Sequence, residues 1–83
     1  MKDLEIQKVL VLSLFHIEEN VYDRLKEDPA NATDLYSTTI WIGYETINEE
    51  LAAILLFAKE KDCDYVKFDE DANVISNFST FEW

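Results

Sequence analysis

From Val9 to Phe15 the chain reads Val-Leu-Val-Leu-Ser-Leu-Phe, apolar at all but one position and partly β-branched. A run of this kind has no polar face to turn toward water, so it predicts a strand covered on both sides, around which the rest of the chain must be layered. The expectation is therefore a central strand. The chain's 83 residues predict one small domain, residues 1–83.

The segments that follow supply candidates for that cover. Ile17, Val21 and Leu25 recur every four residues while Glu18, Glu19, Asp23 and Glu27 fall off the stripe, predicting an amphipathic helix that ends near Glu27. Pro29 enforces the stop, because the residue before a proline is pushed out of helical geometry. Asp28 to Leu35 has loop composition. Tyr36 to Tyr44 alternates, with Tyr36, Thr38, Ile40, Ile42 and Tyr44 on one face and Ser37, Thr39, Trp41 and Gly43 on the other, predicting a second strand. Thr46-Ile47-Asn48-Glu49 fits a capping box that opens a second helix, whose buried stripe is Leu51, Ile54, Leu55 and Ala58. Tyr65 to Phe68 reads as a third strand and Asp69 to Asn73 as a turn. Val74-Ile75 then closes a hairpin as a short fourth strand, ahead of the tail Phe78 to Trp83.

These elements predict an α/β domain of order β-α-β-α-β-β, a three- to four-stranded mixed sheet with two helices. Each helix-bearing connection is long enough for a right-handed crossover between parallel strands, and a first strand in the middle would put the helices on opposite faces. The alternative is a two-layer α+β sandwich with both helices on one face. Trp41, Tyr65 and half of the first strand would then be left for the aromatic tail or a second chain to cover, and an open face of that kind offers a route to a homodimer.

Several chemistries are excluded by counting. One glycine, Gly43, cannot build the dinucleotide fingerprint or the phosphate-binding loop. Cys63 and His16 are the only soft ligands, too few for a structural zinc, and no cofactor is expected. The longest unbroken apolar run, Leu51 to Ala58, is far short of the ~20 residues of a membrane span. A lone cysteine, and an opening Met1-Lys2-Asp3-Leu4-Glu5 unlike a secretory leader, predict a reducing, cytoplasmic setting.

Charge is the main functional signal. Eighteen Asp plus Glu against seven Lys plus Arg give a net charge of −11. That excess argues against direct binding to nucleic acid or an anionic membrane and in favour of a basic partner. It also exceeds the roughly 2 to 8 in magnitude that solubility asks of a small domain. The candidate partner-binding residues are Glu45, Glu49, Glu50, Asp69, Glu70 and Asp71 as carboxylates, with Trp41 and Trp83 as aromatic anchors.

Three further features have competing readings. Ser13 and His16 stand at the carboxyl end of the first strand, where α/β sheets place ligands, and could form a nucleophile and base; the bland reading is a capping or buried histidine. Asp69, Asp71 and Asn73 open like a calcium loop, but Val74 stands where that loop needs glycine and Thr80 where it needs a bidentate acid, so a solvated turn is expected and no metal. Cys63 lies between Asp62 and Asp64, whose charges disfavour the thiolate, and is expected to serve packing.

Taken together, Val11-Leu12-Ser13-Leu14-Phe15-His16-Ile17, Leu56-Phe57-Ala58, Cys63-Asp64-Tyr65-Val66, Asp69-Glu70-Asp71, Val74-Ile75 and Phe81-Glu82-Trp83 resemble a family of small proteins of unknown function carried by prophages and conjugative plasmids. The resemblance implies a mobile-element setting, in which short acidic inhibitors of host defence are common. Members tend to carry Ser-Thr-Ala-His where this chain has Ser13-Leu14-Phe15-His16, and glycine in place of Ala72, so it lends Ser13 and His16 no inherited role. Charge and resemblance together predict a non-enzymatic, anti-CRISPR-like inhibitor. It would bind the basic nucleic-acid-binding surface of a host defence complex, a CRISPR effector or restriction enzyme, and block DNA or RNA. The alternatives are an antitoxin or nuclease-immunity protein, and a small enzyme using Ser13 and His16.

Overall fold

The computed structural model describes residues 6–83; Met1 to Glu5, read above as unlike a leader, lie outside the described residues. Strand β1 (Val9–Ser13) leads through a single 3₁₀ turn (Leu14–His16) into helix α1 (Glu19–Glu27). A two-residue strand β2 (Ala32–Thr33) and strand β3 (Ser37–Trp41) follow, then helix α2 (Glu49–Glu60) and strand β4 (Tyr65–Asp69). The described residues thus form two helices and one four-stranded mixed sheet, an α/β fold as expected.

The strand order is β1-β4-β3-β2, with β4 parallel to β1 and antiparallel to β3, and β3 antiparallel to β2. The register aligns Val9, Tyr65 and Trp41 on one face, and Leu10, Val66 and Ile40 on the other. Only the second face is covered. Leu12, Val66, Phe68, Ile40 and Thr38 are buried there beneath Tyr22 and Leu25 of α1 and Leu51, Ile54, Leu55 and Ala58 of α2, in one continuous core. On the other face Val9 remains 42%, Val11 49% and Trp41 60% exposed.

Four expectations are corrected. The apolar run Val9 to Ser13 forms an edge strand, and the centre belongs to β4, which is paired along both sides. A run apolar on both sides does not distinguish a doubly covered strand from one whose second face is left open, and here the two-layer arrangement is the one adopted. The crossover scheme also changes. The first helix-bearing connection joins strands of the same direction, but β1 and β2 stand at opposite edges; the second joins β3 and β4, which are antiparallel neighbours.

The fourth strand is Ala32–Thr33, inside the segment read as loop, and it is tied to β3 by a Thr33–Thr38 hydroxyl contact of 3.2 Å. Val74-Ile75 forms no strand, because the Ile75 N–H that a ladder would use donates instead to Nε2 of His16 at 3.0 Å. The cap of α2 moves by two residues. Asn48, not Thr46, accepts the Leu51 N–H at 2.9 Å, while the Thr46 hydroxyl accepts the Asn48 N–H at 3.0 Å and holds the cap in place.

The stop before Pro29 and the packing of Cys63 act as read. Asp28, ahead of Pro29, closes α1 in extended geometry. Asp62 follows α2 with φ 59°, a left-handed position that Asp tolerates better than most residues, and Cys63 then returns its N–H to Ala58 at 2.9 Å and is buried in the core. Gly43 has an ordinary φ; the indole of Trp41 lies across it in the space a side chain would need.

Candidate protein-binding site

The site is assembled at the end of the sheet where β1 and β4 finish. Ser13 Oγ accepts the Phe15 N–H at 3.1 Å and caps the 3₁₀ turn, which turns Phe15 outward and His16 inward. The buried imidazole then organises the tail. Nε2 accepts from Ile75 N–H, which leaves the proton on Nδ1 to be donated to the Ser79 carbonyl at 2.9 Å. Ser13 and His16 are thus both bonded to main-chain groups, the use expected of a capping and a buried residue.

Once anchored at Ile75 and Ser79, the tail places its aromatics in turn. Phe78 packs edge-on against Phe57 of α2 at 5.2 Å, and the Phe81 N–H donates to the Phe15 carbonyl at 2.8 Å. The Trp83 indole N–H donates to the Ile17 carbonyl at 3.0 Å, with its ring 5.5 Å from Phe15 and 5.4 Å from Tyr22. Trp83 is therefore fixed, yet its ring is still partly exposed.

Two aspartate turns complete the wall opposite. Asp34 Oδ1 accepts from the Tyr36 N–H at 2.9 Å, the Ser37 N–H at 2.8 Å and the Ser37 hydroxyl at 3.0 Å, presenting Leu35 and Tyr36 at the surface. These bonds, the Tyr36 N–H first, hold the Asp34 carboxyl below its ordinary value of 3.8. Asp69 Oδ1 likewise accepts from the Asp71 N–H at 2.8 Å, and the Glu70 N–H donates to the Tyr36 carbonyl at 3.0 Å, so Glu70 stands beside Tyr36. Leu14, Phe15, Tyr22, Lys26, Leu35, Tyr36, Glu70 and Trp83 then line a groove of about 370 Å³.

A second groove, about 780 Å³, runs between α1 and the loop into α2; Glu18 and Glu45 lie in it beside Arg24, Tyr44 and Asn48. Tyr44 donates its hydroxyl to Asp28 at 2.8 Å, across to the end of α1. That bond raises the Tyr44 pKa, helped by burial, and together with the Ala30 N–H, the larger influence, it lowers that of Asp28. A third depression is lined by Glu18, Glu19, Asp23, Phe81 and Glu82, so Glu18 belongs to both acidic hollows.

The structure therefore brings Glu70 and Trp83 into one groove, puts Glu45 in another, and sets Glu50 in a small cleft beside His16 and Ser79. Glu49 is exposed on the first turn of α2 and Asp71 on the turn after β4, while Asp69 pairs with Lys67 at 3.7 Å. Trp41 lies apart on the open sheet face. Phe15, Tyr36 and Glu18 were missed as site residues. Asp34 two residues before Tyr36 was the available signal, since an Asp side chain that accepts the backbone N–H two residues on makes an Asx turn. Among the described residues no three His, Cys, Asp or Glu side chains gather as metal ligands, and no helix is long and apolar enough to cross a membrane.

Residues 9–83 match the family model described as the C-terminal domain of a family of unknown function, DUF5983. The chain belongs to that family. No curated protein and no solved structure matches it. For a DUF5983 domain the unknown-function resemblance read from Val11 to Trp83 is thereby given a definite family.

Proposed function

We propose that this DUF5983 domain is a non-enzymatic acidic binding protein that occupies the basic nucleic-acid-binding surface of a host defence complex, such as a CRISPR effector or a restriction enzyme, in the host cytoplasm. The observation that carries this reading is a division of labour among the acids. Asp28, Asp34, Asp64 and Asp69 accept backbone N–H groups within the fold, and Asp23 pairs with Lys26 at 3.2 Å. The described glutamates behave otherwise: Glu18, Glu19, Glu27, Glu45, Glu49, Glu50, Glu60, Glu70 and Glu82 are all exposed, and none of their carboxylates makes a hydrogen bond or ion pair among the described residues. Carboxylates without internal partners are free to meet Arg and Lys, standing in for phosphates, with aromatic anchors beside them. A mobile-element setting, implied by the resemblance, supports the choice of partner.

The test is capture by the tagged protein from host lysate at about 0.1 M and about 0.5 M salt, followed by competition against labelled DNA or RNA. A captured basic complex that is lost at high salt, and that releases nucleic acid as the protein is added, supports the proposal. If the captured complex keeps its nucleic acid, or a neighbouring toxin is captured instead, the inhibitor reading falls and the antitoxin reading takes its place. Charge reversal of Glu49 and Glu50 to lysine is expected to weaken capture.

A further inference from the structure

The groove at the strand ends combines features that a merely solvated acidic surface lacks. Its aromatic wall is rigid: Trp83 is held by its indole hydrogen bond to Ile17, by an edge contact to Phe15 and by a tilted contact to Tyr22, yet keeps 41% of its surface exposed. Tyr36 stands half-exposed on the other side, and Glu70, fixed beside it through its backbone N–H, carries a carboxylate with no partner among the described residues. The groove already accommodates one cation, since the Lys26 ammonium lies 5.2 Å from the centre of the Tyr22 ring and is neutralised by Asp23 at 3.2 Å. That leaves Trp83, Tyr36 and the Glu70 carboxylate for a ligand. An anionic ligand is opposed by Glu70 and its neighbours Asp69 and Asp71 and by the net charge of −11. A cation with a flat, weakly hydrated head can stack on the rings and bind the carboxylate through two N–H groups at once, and among side chains that describes arginine rather than lysine.

We propose that this groove is an arginine-reading pocket: one arginine side chain of a basic partner protein inserts between Tyr36 and Trp83, stacks on the indole and forms a bidentate pair with Glu70. The assignment rests on the basic-partner reading above and names the contact that would anchor it. The pocket is pre-formed, so a short arginine peptide should bind it without the partner present.

The experiment uses the full chain labelled with ¹⁵N and follows its two indole N–H resonances, assigned with W41F. The probes are tetra-arginine, tetra-lysine and tetra-citrulline peptides at about 0.1 M salt. Tetra-arginine should move the Trp83 resonance saturably, with tetra-lysine about fivefold and tetra-citrulline at least about tenfold weaker. Glu70→Gln should weaken the arginine peptide about fivefold, while Glu60→Gln, at the far end of α2, should leave it within about twofold. Equal affinity for the lysine and arginine peptides, equal losses from the two substitutions, or a response at Trp41 in place of Trp83 would each reduce the binding to diffuse charge and overturn the proposal. The two readings fail separately. Saturable arginine binding with no nucleic-acid-binding complex captured sinks the inhibitor reading and keeps the pocket, whereas a captured complex indifferent to Glu70→Gln does the reverse.

Discussion

Along β1 the two faces of the sheet are equally apolar, yet they have opposite fates. One carries Leu10, Leu12, Ile40, Val66 and Phe68 into a closed core; the other carries Val9, Val11, Trp41 and Tyr65 and has no layer above it. Apolar character therefore does not decide which side of β1 is covered, whereas on β3 and β4 the polar Ser37, Thr39, Lys67 and Asp69 mark the open face. For β1, what decides is where the helices can reach. Both helix-bearing connections cross the same side of the sheet, and the tail that might have shielded the second face is drawn away by His16 toward α2 and the strand ends.

This difference is measurable. Phe68→Ala removes a fully buried side chain at the centre of the covered face and should cost about 3–5 kcal/mol, read from urea unfolding, enough to leave a domain of this size largely unfolded. A loss under about 1 kcal/mol would mean that the two faces are equivalent. Replacing His16 with alanine strips the tail of its two anchoring bonds and leaves Ile75 N–H and Ser79 C=O without partners, at about 2–3 kcal/mol. Hydrogen exchange should show residues 74–83 losing protection while the sheet amides keep theirs. If the tail stays protected, Trp83 and Phe78 hold it without the imidazole.

Asn48→Ala tests the cap through which α2 is started over the covered face, and about 1 kcal/mol should be lost. Acid reports on the turns at the rim. Asp28 and Asp34 have lowered pKa values in the folded chain, so the stability they add is fully present above the ordinary carboxylate value of 3.8 and disappears as pH falls through the lowered ones. Thermal unfolding should therefore fall off more steeply below about pH 4, and Asp34→Asn should flatten that limb. The smallest effect is expected from Trp41→Lys, within about 0.5 kcal/mol, because the open face loses only a solvated ring. A larger loss, with a melting temperature that rises with protein concentration, would show that a second copy covers this face.

Sequence legibility followed the same division. The stripe Leu51, Ile54, Leu55 and Ala58, the stop at Pro29 and the alternation of Thr38 and Ile40 could be read because each is set by neighbours within a turn or two of chain. The edge position of Val9 to Ser13 could not, because it depends on which distant strand claims the centre. The same holds for the site. Glu70 and Trp83 were recognisable as a free acid and an anchor, but their meeting depends on an aspartate turn at Asp34, a capped 3₁₀ turn at Ser13 and a histidine that consumes the Ile75 N–H. None of these three has a periodicity to detect.

The position of β1 also sets a timetable for the chain. Among the described residues its only strand partner is β4, so Lys8 and Asp64, which meet across the start of that pairing, are 56 residues apart. On a ribosome the first strand therefore emerges, with its valines bare, long before anything exists for it to pair with, and the sheet can close only when the last strand arrives. Folding should be slow for a domain of this length, and the interval before closure is when the nascent chain most needs a chaperone.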